Sequence, residues 1–167
     1  LFLLGTLVGL HSKYGNSQLQ YILRINNENY FDPTYLQQSH HKANTHTLVL
    51  EQNIKLLTNL KTTFKGEVAF QELISSVYNK TIIKHAGNMV INWEPHSRIS
   101  IKTSLRQDYS NKLFNKTTYS FSGFYKTNLG PLKQVGFIHS THFRYPSFND
   151  LYWVPGGNSD LLQETGT

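Results

Sequence analysis

The chain has 167 residues, no cysteine and a formal net charge of +6 at neutral pH. Without cysteine there is neither a disulfide framework nor a thiolate metal site. The lysines and arginines are scattered singly rather than in a block, which excludes nucleic acid as a partner on composition. The abundance of Tyr, Phe, Asn, Ser and Thr suits many half-exposed strands better than packed helices. The apolar start, Leu1 to Leu10, lacks a basic leader and a small-residue cleavage site, and it is too short to span a bilayer as a helix. It begins with Leu rather than Met and ends in a loop-like stretch, from which we expect a fragment of a longer protein.

In chain order the sequence divides into eight segments with period-2 alternation. The first sets Phe2, Leu4, Thr6, Val8 and Leu10 on one parity and ends at a turn near Gly15-Asn16-Ser17. The second opposes Leu19, Tyr21, Leu23 and Ile25 to Gln18, Gln20, Arg24 and Asn26, and a long polar connection is expected from Asn29 to Thr45. The third, with Leu48, Leu50 and Ile54, turns near Leu57-Thr58-Asn59; the fourth carries Phe64, Gly66, Val68 and Phe70, before a second long connection from Glu72 to Gly87. The fifth places Met89, Ile91 and Trp93 on one face and stops at Glu94-Pro95-His96-Ser97. The sixth is the cleanest, with Ile99, Ile101, Thr103 and Leu105 opposed to Ser100, Lys102, Ser104 and Arg106. A polar loop from Asp108 to Lys112 leads to the seventh, bearing Tyr119, Phe121, Gly123 and Tyr125, and the Asn128-Leu129-Gly130-Pro131 turn leads to the eighth, from Val135 to Arg144.

Segments of roughly ten residues, joined alternately by short turns and long polar loops, are what a transmembrane β-barrel requires. One face of each strand is apolar toward lipid and the other polar toward a lumen, where Lys102 and Arg106 are expected to lie. Tyr14, Trp93 and Tyr125 on the apolar parity near the short turns are expected to form an interfacial girdle. The predicted fold class is therefore all-β: an antiparallel up-and-down transmembrane barrel, present in part as about eight strands. A soluble β-sandwich stands as the alternative architecture.

Two stretches carry a family resemblance. Arg144-Tyr145-Pro146-Ser147-Phe148-Asn149-Asp150-Leu151-Tyr152, followed by Gly156-Gly157-Asn158-Ser159-Asp160-Leu161, closely resembles the late-barrel segment of TonB-dependent outer-membrane receptors. Arg106-Gln107-Asp108-Tyr109-Ser110 is similar to the run that opens an outer loop of these receptors one hairpin earlier. The resemblance is closest to vitamin B12 and siderophore transporters and is specific over residues 99–161. It implies that residues 1–167 belong to a barrel domain of about 22 strands whose plug, with its TonB-contacting box, lies outside this chain. It also implies the outer membrane of a Gram-negative bacterium, outer-membrane lipid and the TonB complex as partners, a small-molecule ligand such as cobalamin or a ferric siderophore, and no enzyme activity or cofactor. A passive porin-like or adhesin-like barrel is the alternative within the membrane class.

On this reading the segment after Pro146 is an extracellular loop. The candidate ligand contacts are Arg106 and Arg144 from the lumen and Phe148, Tyr152 and Trp153 from the loop. Asp150 and Asp160 lack the spacing of a calcium loop, and adjacent His40 and His41 lack a third ligand, so no metal site is assigned.

Overall fold

The computed structural model describes residues 1–32, 37–76, 79–111, 115–152 and 156–167, without the side chains of 30–32, 37–39, 128 and 149. Eight strands form one antiparallel sheet in strict sequence order: β1 (Phe2–Ser12), β2 (Gly15–Asp32), β3 (Gln37–Leu57), β4 (Leu60–Ser75), β5 (Asn79–His96), β6 (Ile99–Ser110), β7 (Lys116–Leu129) and β8 (Leu132–Ser140). The sheet is an open up-and-down meander, and β1 and β8 each pair with a single neighbour among the described residues. A three-residue β9 (His142–Arg144), a one-turn helix α1 (Phe148–Tyr152) and β10 (Glu164–Gly166) complete the chain, with β10 antiparallel to β9.

The register sorts the side chains. Because neighbours directly opposite each other share a face, Leu19, Leu50, Gly66, Gly87, Gln107 and Thr117 fall in one row. The rows on that face gather the apolar parity of every segment. Between Phe2 and Leu10, Leu19 and Ile25, Phe64 and Phe70, Ile83 and Trp93, Ile99 and Tyr109, and Tyr119 and Tyr125, the face carries no Asp, Glu, Lys or Arg. The opposite face carries Arg24, Lys65, Glu67, Lys84, Lys102, Arg106 and Asp108.

The apolar face is the exposed one. Leu50, Val68, Leu105, Phe121 and Phe137 are all open, Phe137 to 60%. The few buried apolar residues, Val49, Ala69, Leu73, Ile82 and Leu151, lie instead on the polar face or on the helix docked near it. A soluble sheet buries its apolar face against a second layer, and among the described residues this one has no such layer.

Turn chemistry fits the short connections. Gly15 opens β2 where a Cβ would sit 1.8 Å from the Asn53 carbonyl oxygen, so only glycine allows β2 and β3 to pair there. Gly130, at φ 56°, supplies the left-handed residue of the β7–β8 turn. Register shifts between Trp93 and His96 and between Lys126 and Leu129 mark bulges beside the β5–β6 and β7–β8 turns.

Three expectations need correction. The stretches read as long loops are mostly strand: β2 and β3 pair as far as Asp32 and Gln37, β4 and β5 as far as Ile74 and Asn79, and β6 continues to Ser110. Backbone pairing does not depend on a single apolar face, so alternation in hydropathy stops while the ladder continues, with Leu73 and Ile82 buried on the face that is polar elsewhere. The eighth segment is interrupted at Thr141, whose N–H donates to the Tyr119 carbonyl at 2.9 Å before the chain leaves β7. The third is α1, in a stretch read as loop.

Candidate functional site

The polar face of β2–β6 holds a cavity of 720 Å³, closed on one side by Phe143, Arg144 and Tyr145 of the returning tail. Its centre is a charge cluster. Arg106, on β6, holds Asp108 of the same strand by two hydrogen bonds, Nε to Oδ2 and Nη2 to Oδ1, each 2.8 Å. Residues two apart on a strand share a face, which brings this pair together, and the planar fork suits a carboxylate. Arg106 Nη1 also stands 4.0 Å from Glu67 Oε2 on β4, although β5 runs between them. The register explains the reach: Glu67, Ala86 and Asp108 form one row, and the small Ala86 leaves the space open.

Lys84, on β5, is half-buried one row away, and its ammonium lies 5.2 Å from the centroid of the Tyr145 ring. The Tyr145 hydroxyl is shut from solvent with no hydrogen-bond partner. Burial raises its pKa above the ordinary 10.0, and the nearby Asp108 carboxylate adds to the rise. Arg24 and Lys65 also line the cavity, and neither enters an ion pair among the described residues. Lys65 does face Glu51 across β3–β4, but that carboxylate accepts from the Asn53 amide at 2.9 Å.

The tail is anchored beside this cavity. Ser147 and Asp150 form a reciprocal cap on α1: the Ser147 N–H donates to Asp150 Oδ2 at 2.7 Å, and the Asp150 N–H to Ser147 Oγ at 3.2 Å. The Ser147 N–H, and after it the Ser147 hydroxyl, hold the Asp150 carboxyl below its usual pKa. Leu151 is buried to 3% exposure, and the Lys80 ammonium lies 4.9 Å from the Tyr152 ring. With Tyr145 over Lys84 and Tyr152 against Lys80, the tail spans Ile82, the most buried apolar residue described.

Of the predicted contacts, Arg106 and Arg144 come to the same cavity. Arg144 is not free there: its guanidinium meets the Glu164 carboxylate at 3.2 Å, and both side chains are mostly exposed. Phe148 and Tyr152 are neighbours on α1, their rings 6.3 Å apart, and neither lines the cavity. Trp153 lies outside the described residues. Lys102 stands on the polar face but away from the cavity lining. Lys84 and Tyr145 were missed. Lys84 falls in a stretch with no clear alternation, and Tyr145 was read only as part of a motif.

Tyr14, Trp93 and Tyr125 are exposed at the short-turn ends. Toward the opposite ends rings pair across strands, His85 with Tyr109 and Tyr119 with His139, and Tyr21 pairs with His46 in the middle of β2 and β3. Among the described residues no three His, Asp or Glu side chains converge as a metal site, and no helix is long and apolar enough to cross a membrane. No protein-family model matches the chain, and no curated protein matches it.

Proposed function

We propose that this chain is part of the barrel wall of a TonB-dependent outer-membrane receptor, which binds a scarce nutrient and imports it with energy delivered through TonB. The observation that carries the reading is the exposed apolar face, free of charged side chains over the middle of six strands, while the opposite face carries the charged residues that line a cavity. In water that face is an aggregation surface; in a bilayer it is the lipid contact. The resemblance of the run from Arg144 to Leu161 supports the receptor class over a passive porin, and Arg144 and Tyr145 of that run both line the cavity.

Ligand capture at such a site is binding without bond chemistry. Cations and aromatic rings of the wall and outer segment would hold the nutrient until the plug rearranges. Cobalamin and ferric siderophores are the two ligand classes proposed. Deleting the gene and following uptake of labelled cobalamin and labelled ferric siderophores tests this: uptake of one falls if the reading holds, and unchanged uptake of both overturns it. Recovery of the full-length protein in the soluble fraction would overturn the membrane placement itself.

A further inference from the structure

We infer that the four short turns form a rim that binds anionic phospholipid headgroups through Lys13, Lys55, Lys61, Arg98, Lys126 and Lys133. This goes beyond the transport reading and rests on its membrane placement. Because the eight strands follow one another in an antiparallel meander, the β1–β2, β3–β4, β5–β6 and β7–β8 turns all lie at the same end of the strands. Residues 11–17, 54–62, 93–100 and 126–135, the turns with the strand ends beside them, hold these six cations and one carboxylate, that of Glu94. Of the chain's 16 cations and 10 carboxylates that leaves ten against nine elsewhere, so five of the six net positive charges sit at this end.

The protein does not neutralise that charge itself. All six side chains are exposed, and none enters an ion pair among the described residues. Lys55 stands directly opposite Lys61 in the β3–β4 register, a like-charge pair that destabilises a sheet unless negative charge arrives from outside it. What lies beside the cations selects the partner. Leu57 and Leu129 are exposed to 60% and 71% near the turn tips, with Leu56 and Leu132 open beside them. Tyr14, Trp93 and Tyr125 are exposed at the same end, and the Lys13 ammonium lies 4.7 Å from the Tyr14 ring centroid. An acidic protein segment would complement the cations and leave the leucines in water. A bilayer covering the apolar face meets both: its headgroup layer falls at the strand ends, where leucines and rings enter the interface and lysine and arginine heads reach the phosphates.

The test uses the full-length protein, purified in detergent and given equal amounts of phosphatidylglycerol and phosphatidylcholine with matched acyl chains. Native mass spectrometry counts the lipids that stay bound. One cation near an anionic lipid surface favours it roughly fivefold, so the anionic lipid should be retained at least about fivefold over the zwitterionic one. Added salt should erode that preference. Lys55→Gln, Lys61→Gln, Arg98→Gln and Lys133→Gln together should bring the ratio close to parity. Lys42→Gln with Lys116→Gln, at the opposite end of the strands, should leave it unchanged. The ratio is read within one sample, so a lower yield of the quadruple variant does not blur it. Equal retention of the two lipids, an unchanged ratio in the quadruple variant, or an equal loss in the control pair overturns the inference. Displacement of phosphatidylglycerol by a glutamate-rich peptide, beyond what salt of equal ionic strength achieves, overturns it in favour of an acidic protein partner. The same displacement by inorganic phosphate overturns it in favour of a free anion. Recovery of the full-length protein in the membrane fraction without a lipid preference leaves the membrane placement standing and removes only the headgroup rim.

Discussion

Tyr145 lies over Lys84, its ring centroid 5.2 Å from the ammonium, and this contact fastens the returning tail to the wall of the sheet. A cation held against an aromatic face contributes about 0.5–1 kcal/mol where water still reaches it. Lys84→Met should therefore loosen residues 141–152 without unfolding the sheet. Limited proteolysis of the full-length protein should show faster cleavage in the tail and unchanged cleavage elsewhere, and Tyr145→Phe should restore protection that Tyr145→Ala removes.

The same tyrosine gives the docked tail a pH limit. Its hydroxyl ionises above the ordinary 10.0 because burial disfavours the phenolate. The undocked tail then ionises first as pH rises, so the contribution of the Tyr145 hydroxyl to docking is present in full below pH 10.0 and is lost as pH climbs toward the raised value. Absorbance of the phenolate should show one tyrosine titrating late, and in Lys84→Met it should move back toward the ordinary range as the tail opens.

Ser147→Ala should remove one half of the cap on α1 and cost about 1 kcal/mol of local stability. The measurement is amide exchange at Asp150, whose N–H donates to Ser147 Oγ. Because the Asp150 carboxyl titrates below its ordinary 3.8, its contribution is present above that pH and fades as pH falls through the lowered value. Exchange in α1 that is equally slow in the variant would remove the cap from this account.

Much of the sheet was legible because Phe64 to Phe70 and Ile99 to Leu105 alternate so cleanly that only one face can meet an apolar surface. The strand ends were not. Around Asn44 and Glu72, which share a 3.2 Å hydrogen bond across β3–β4, each face mixes polar and apolar residues, Leu73 on one and Ile74 on the other, and hydropathy carries no period there. The Arg106–Asp108 pair could have been found from spacing, since i and i+2 share a strand face. The spacing of Ser147 and Asp150 is itself a capping signal. The approach of Tyr145 to Lys84 had no sequence signal, because it depends on the chain leaving β7 at Thr141.

Two glycines separate backbone constraint from open space on the apolar face. Gly15→Ala would place a Cβ 1.8 Å from the Asn53 carbonyl oxygen, and the β2–β3 ladder must shift to accommodate it, at a cost of several kcal/mol. Gly66→Ala meets nothing within 4 Å and should be neutral. The yield of folded full-length protein should collapse for the first and stay unchanged for the second.

Charge placed on the two faces should behave oppositely. Val68→Arg puts a guanidinium on the apolar face and should cost about 2–4 kcal/mol if that face lies in mid-bilayer. Gln20→Lys, on the cavity side, should be tolerated. Chemical unfolding of the protein in lipid vesicles reads both, and equal tolerance would show that lipid does not cover the apolar face.

The paired extension of β2 and β3 has a mechanical consequence. Eighteen residues of β2 run against β3 in unbroken register, from Gly15 opposite Ile54 to Asp32 opposite Gln37. At about 3.3 Å per residue this ladder is roughly 60 Å long, more than twice the height of an apolar belt of about 25 Å. A loop of equal length would absorb a push at its tip by bending anywhere along its course. A paired ladder lacks that freedom, so the Asp32 end is tied in unbroken register to the wall beside Arg24 and Thr45, which line the cavity.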